Sequence, residues 1–134
     1  MSYILDTNII TAIFKNNKDV INKVQQIIAE GKKIYINCIS YYEIKRGLLA
    51  ADASNKIDRF NEFCNKFGLL LLDSIYYFDE ASEIYAYLKK EGSLIEDADI
   101  LIASLTKLKN YILITDNIQH FNRVQGLKIE NWLA

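Results

Sequence analysis

The sequence predicts an α/β fold: a three-layer α/β/α sandwich around a central, mainly parallel sheet of four to five strands. Three observations point there. Short apolar runs of strand length alternate along the chain with amphipathic helical stretches. No proline and only five glycines interrupt that alternation. A length of 134 residues suits one self-sufficient core. The whole chain, 1–134, is therefore read as a single domain.

Each element has its own signal. The run SYIL at 2–5 reads as a buried strand, and residues 7–14 as a short helix. Val20, Val24, Ile27 and Ile28 share one face of a helix over about 18–30, stopped at Gly31. KIYINC at 33–38 is a second strand, followed by a helix from Tyr41 to about Ala51. Ile57, Phe60, Phe63, Cys64 and Phe67 mark another amphipathic helix, closed by Gly68. LLLLD at 69–73 is a third strand. Phe78, Ala81, Tyr85 and Leu88 set a helix at about 75–91. DADILIASLTKLK at 97–109 is a helix whose first half has little polar surface, which predicts a central position. YILIT at 111–115 is a fourth strand, and LKIEN near the end supplies a candidate fifth.

Composition removes several function classes. Hydrophobic residues make up 51% and charged residues 25%, as in an ordinary water-soluble domain. No apolar run approaches the ~20 residues of a membrane span, and Asp6 breaks the pattern of a signal peptide. The expected location is the cytoplasm, with no membrane partner. Cys38 and Cys64 lie inside apolar patterns and read as packing residues. One histidine, His120, leaves no multi-histidine metal site, and it reads as a surface residue. Any metal should be a hard cation held by oxygens.

The acids carry the functional signal. Asp6 directly follows the first strand, and Glu43 stands early in the helix after the second. Asp97 and Asp99 open the apolar helix, and Asp116 directly follows the fourth strand. In a parallel sheet these positions share one edge, where ligands bind at a topological switch point. The bland alternative is helix capping, since Ser40-x-x-Glu43 and Ser93-x-x-Glu96 both match the capping box. Capping and dipole effects supply only ~0.3–1 kcal/mol each. Two carboxylates ~5 Å apart repel by about 3 kcal/mol at an effective dielectric near 20. A crowd of four or five acids therefore calls for a divalent cation. Mg²⁺ suits it best, with Mn²⁺ as substitute, because Mg²⁺ keeps its waters and uses few carboxylates. The chain's net charge is −1, and setting five acids aside leaves the remainder positive, compatible with a polyanionic substrate.

At this point five blocks carry a likeness: ILDTNII, ISYYEIKRGL, IEDADILIASLT, ILITDNIQHF and VQGLKIENWL. In this order, covering the chain almost end to end, they resemble the VapC toxins of the PIN-domain ribonuclease family. The resemblance implies a PIN-like fold and a Mg²⁺- or Mn²⁺-dependent endoribonuclease, the toxin of a type II toxin–antitoxin pair. It would hydrolyse phosphodiester bonds of tRNA or rRNA. Its implied partners are the RNA substrate, a VapB-like antitoxin that covers the acidic site, and a second copy in a homodimer within a larger assembly. By matched position, Asp6 and Asp99 would be the principal metal ligands and Glu43 would hold the metal or its attacking water. Asp97 would support them. For the fourth acid the motif leaves Asp116 and Asn117 as alternatives, since relatives often show T-x-N or T-x-D there. Thr7, Asn8 and Thr115 are supporting candidates: Thr7 and Asn8 to orient Asp6 or simply begin a helix, Thr115 to bond Asp6 or satisfy a turn.

Two other readings compete. A catalytically silent RNA- or protein-binding module of the same fold would keep the architecture, yet uncompensated acids offer an RNA binder nothing. A phospho-acceptor receiver domain expects paired acids by the first strand and a lysine after a late one, and both are absent.

Overall fold

The computed structural model describes residues 1–133. The elements run β1 (Ser2–Leu5), α1 (Thr7–Phe14), α2 (Lys18–Ala29), β2 (Lys33–Asn37), α3 (Cys38–Ala50) and α4 (Ser54–Lys66). They continue with β3 (Gly68–Leu70), α5 (Ile75–Lys90), α6 (Asp97–Lys109), β4 (Ile112–Ile114), α7 (Ile118–Phe121) and β5 (Lys128–Glu130). The five strands form one sheet in the order β3-β2-β1-β4-β5, with every neighbouring pair parallel. The chain leaves β1 toward β2 and β3 on one side and returns to β4 and β5 on the other. The switch point thus falls between β1 and β4, where Leu5 pairs with Ile114.

Both faces of the sheet are covered, as alternation along a strand requires. Tyr3, Leu5, Ile34, Ile36 and Ile114 pack toward α1, α2 and α4 through Ile9, Ile10, Val24, Phe60 and Phe63. Ile4 and Leu113 pack the opposite way, onto α5 and α6 through Ile84, Leu88, Ile102 and Leu105. Helix α6 is central as expected, with Ile100 and every residue from Ile102 to Thr106 buried. Its two buried hydroxyls are satisfied inside the helix, Ser104 donating to the carbonyl of Leu101 and Thr106 to that of Ile102.

Three departures from the sequence reading have local causes. Helix α3 begins at Cys38, three residues before the expected Tyr41, because the Asn37 side chain accepts the Ser40 backbone N–H and caps it at the end of β2. Strand β3 covers Gly68–Leu70 rather than 69–73, and Leu71 just beyond it is 52% exposed. Gly68 opens that strand because a Cβ there would stand 2.6 Å from the Tyr35 ring. Helix α7, a single turn, had no periodicity long enough to announce it.

Candidate active site

The carboxyl edge of β1 and β4 forms an open cleft lined by Asp6, Glu43 and Asp99, with Glu96, Asn117 and His120 on its rim. Asp6 is the N-cap of α1 and only 5% exposed. One of its oxygens accepts the Thr7 backbone N–H at 2.8 Å; the other accepts the Thr115 hydroxyl at 2.7 Å across the switch point. Asn8 ties the two strand exits together. Its amide nitrogen donates to Asp6 at 3.4 Å, and its oxygen accepts the Asp116 backbone N–H at 3.1 Å. Thr115 in turn accepts the Asn117 backbone N–H at 2.9 Å.

Glu43 lies in the second turn of α3, and its Oε1 accepts the Thr7 hydroxyl at 2.8 Å. Asp99 lies in the first turn of α6 with its side chain 16% exposed. Its neighbour is His120, whose Nδ1 stands 3.4 Å from Asp99 Oδ2 and 2.8 Å from Asn117 Nδ2. One ring nitrogen cannot accept from the amide and donate to the carboxylate at once, so the tautomer selects between them.

The electrostatics match that geometry. Burial pushes the Asp6 carboxyl up from its ordinary 3.8 to about 6, against the pull of the Thr115 and Thr7 hydrogen bonds. The nearby charges of Asp99 and Glu43 add to the rise. Asp99 is also raised, first by burial and then by Glu96 and Glu43, with His120 opposing. Among the described residues no lysine or arginine forms an ion pair with Asp6, Glu43 or Asp99; the Lys pairs are Glu30–Lys32 and Glu80–Lys107.

Two sequence candidates stand elsewhere. Asp97 is exposed and lines a separate depression with Phe78, Tyr85 and Leu101. Two residues along a helix is about 200° of rotation, so positions 97 and 99 cannot face one cleft. Asp116 is exposed and its carboxylate accepts the Asn131 side-chain amide at 3.0 Å, which turns it toward the C-terminal segment. Asn117, the alternative, is the one that lines the cleft. Neither capping box forms: the cap of α3 is Asn37, and that of α6 is Glu96, whose side chain makes no capping bond.

The sequence offered Ser40 and Glu96 only as capping-box residues and His120 only as a surface residue, and it did not single out Asn37; the structure brings Glu96 and His120 to the cleft. The only available signal was spacing, since Asn117 and His120 are three apart and share a face once α7 forms. As they stand, the acids ring an open cleft and do not form a closed cage. Among the described residues no group of three or more His, Cys, Asp or Glu side chains is drawn together tightly enough to hold an ion. An all-oxygen set of Asp6, Glu43 and Asp99 suits a cation that retains most of its water, and does not suit one needing a full protein shell.

Comparison with known proteins agrees with this architecture. The family model of the PIN domain matches residues 3–127. Ribonuclease VapC1 of Methanocaldococcus jannaschii is 33% identical over 133 residues, covering 94% of this chain and 85% of that protein. Ribonuclease VapC2 of Rickettsia felis is 29% identical over 136 residues, 98% of each chain. A crystal structure of VapBC2 from Rickettsia felis, bound to a DNA fragment from its promoter, superposes with a TM-score of 0.90 at 26% identity, covering 98% of this chain and 99% of that one. Matched from its first strand almost to its last and carrying its acids at the switch point of the same sheet, the chain belongs to the VapC group of the PIN-domain family.

Proposed function

We propose that this protein is a Mg²⁺-dependent endoribonuclease, with Mn²⁺ as a substitute, acting as the toxin of a toxin–antitoxin pair. The observation that supports it is the meeting of Asp6, Glu43 and Asp99 on one cleft with no lysine or arginine paired to them among the described residues. Ribonuclease activity is the named property of the relatives, and the chain spans nearly their full length.

Asp6 and Asp99 would hold the ion directly, with Glu43 beside them holding the ion or the attacking water. The ion would supply positive charge that makes the crowd of carboxylates tolerable and eases deprotonation of a water for in-line attack at phosphorus. The chain's own residues prepare that site. Thr115 and the Thr7 N–H fix the Asp6 carboxylate from two sides, so that it is oriented before any ligand arrives. Asn117 and His120 bring N–H donors to the same cleft, where a phosphate oxygen can accept them.

A groove adjoins the cleft at Thr7, Thr11 and Glu43 and runs between α1, α3 and α4. Its floor includes Ile10, Phe14, Leu48 and Phe60, and Lys15, Lys56 and Arg59 stand along it. Apolar floor and basic rim suit a VapB-like antitoxin segment that lies in the groove and covers the cleft. The basic rim also suits the RNA backbone. On another face Ile75 is 67% exposed, and Phe78 and Tyr85, both exposed, share its side of α5, an apolar patch that favours a homodimer.

The test is incubation with total tRNA and with ribosomal RNA, in Mg²⁺, in EDTA, and with Asp99→Asn in Mg²⁺. Cleavage is expected in the first condition alone. Cleavage that survives chelation refutes the metal mechanism. The silent binding module is favoured if RNA is bound yet never cut under any condition.

A further inference from the structure

A run of hydrogen bonds leads from the sheet to Glu43, and its direction can be worked out atom by atom. Asn37 and Ser40 are both fully buried. The Asn37 side-chain oxygen accepts the Ser40 backbone N–H at 2.8 Å, which fixes the orientation of its amide. Its nitrogen then donates to the Leu5 carbonyl at 2.9 Å and to the Ser40 hydroxyl oxygen at 3.0 Å. Thr7 Oγ1 lies 2.8 Å from both Ser40 Oγ and Glu43 Oε1. A threonine hydroxyl has one proton, and an ionised carboxylate can only accept. The Thr7 proton therefore goes to Glu43, and Ser40 donates to Thr7 while accepting from Asn37.

We propose that Asn37, Ser40 and Thr7 form a one-way hydrogen-bond relay that positions the Glu43 carboxylate, with Ser40 as the positioning residue at its centre. Along the path from Asn37 Nδ2 through Ser40 Oγ and Thr7 Oγ1 each donated proton points toward Glu43, so each bond polarises the next. The relay begins on the ends of β1 and β2, through Leu5 and Asn37, and so references a long, three-torsion side chain to the rigid sheet. It commits Oε1 and leaves the second carboxylate oxygen to the cleft. Without it, Glu43 on the wall of an open cleft would sample several rotamers. Its catalytic meaning rests on the proposed nuclease reading, whereas the relay itself is a statement about hydrogen bonds.

The experiment has two arms. In the first, single-turnover RNA cleavage is measured for the wild type, Ser40→Ala, Glu43→Ala and the double variant, with melting temperatures recorded for each. Ser40→Ala is expected to slow the wild type by roughly tenfold or more and to leave the Glu43→Ala rate unchanged, because nothing remains to be positioned. Equal slowing in both backgrounds would overturn the proposal. Thr7→Val should copy Ser40→Ala and Thr7→Ser should restore the rate, which covers the case of Ser40→Ala folding poorly. In the second arm the Asn37 side-chain amide protons are followed by NMR, without metal or RNA. They are expected to shift in Glu43→Ala, and to stop responding to that substitution once Thr7→Val cuts the relay. An Asn37 resonance indifferent to Glu43 would overturn the relay even if the wild type cleaves RNA. A response of the expected kind in a protein that cuts no RNA would sustain the relay and sink the nuclease reading.

Discussion

The carboxyl of Asp6 shows how a single residue can oppose the fold that carries it. Its value rises from 3.8 to about 6 on folding, chiefly through burial. The sign follows from proton binding. Below pH 3.8 the group is protonated folded and unfolded alike and costs nothing. Between 3.8 and about 6 the folded state binds more protons than the unfolded chain, so stability falls as pH rises, and above 6 the full cost is present. That cost is about 3 kcal/mol, of which Asn recovers only part, because an amide oxygen replaces two carboxylate acceptors. Asp6→Asn in EDTA at pH 7.5 should therefore raise the melting temperature by a few degrees, with the advantage shrinking toward pH 4. Calorimetric melting across that range checks it, and a drop of several degrees would make Asp6 a structural residue. Asp6, Glu43 and Asp99 could be proposed from sequence because each sits at a strand exit or a helix start on the same sheet edge. Asn37 and Ser40 were hidden because their task is to hold other side chains, and no residue type announces that.

At the scale of elements, helical phase separates acids that the sequence groups together. Asp97 and Asp99 are neighbours in the chain and face different surfaces of α6. Asp97→Asn should keep cleavage within a few-fold of wild type, whereas Asp99→Asn should lower it by a hundredfold or more, on the order of 3 kcal/mol. Parallel rate measurements decide it; equal losses would mean that α6 presents both. Strand β3 supplies a second element-scale prediction. Because a Cβ at Gly68 would meet the Tyr35 ring, itself stacked on Tyr111 at 5.6 Å, Gly68→Ala should cost ~1–3 kcal/mol in urea denaturation. A neutral result would show that the ring swings aside freely. Interior elements such as β1 and α6 were readable because both depend on burial, which writes itself into hydrophobic periodicity. The third strand was also readable, but the bounds of β3 and the single turn α7 depend on local contacts that no period records.

For the whole molecule the governing fact is charge placement. A net charge of −1 gives no general attraction for RNA. Recognition must come from local features, and the groove beside the cleft gathers Lys15, Lys56 and Arg59. Lys56→Glu together with Arg59→Glu should raise KM for RNA severalfold while leaving kcat within twofold, and should flatten the dependence of binding on salt. A fall in kcat with KM unchanged would place those residues in the chemistry instead. Fold topology makes such a division possible: the switch point gathers the acids, while the helices on one face carry the basic rim. The parallel sheet covered on both faces was legible in the alternation of strands and helices, whereas the strand order was not. The groove was not, because it forms where α1, α3 and α4 meet.

The central claim is that Asp6, Glu43 and Asp99 make one site for a hard divalent cation, and calorimetric titration with Mn²⁺ tests it most directly. The wild-type protein should bind Mn²⁺ saturably and melt at a higher temperature with it, and Asp6→Asn and Asp99→Asn should each lose both effects. Saturable binding that survives both substitutions, or a wild type that neither binds Mn²⁺ nor gains stability from it, would contradict the account.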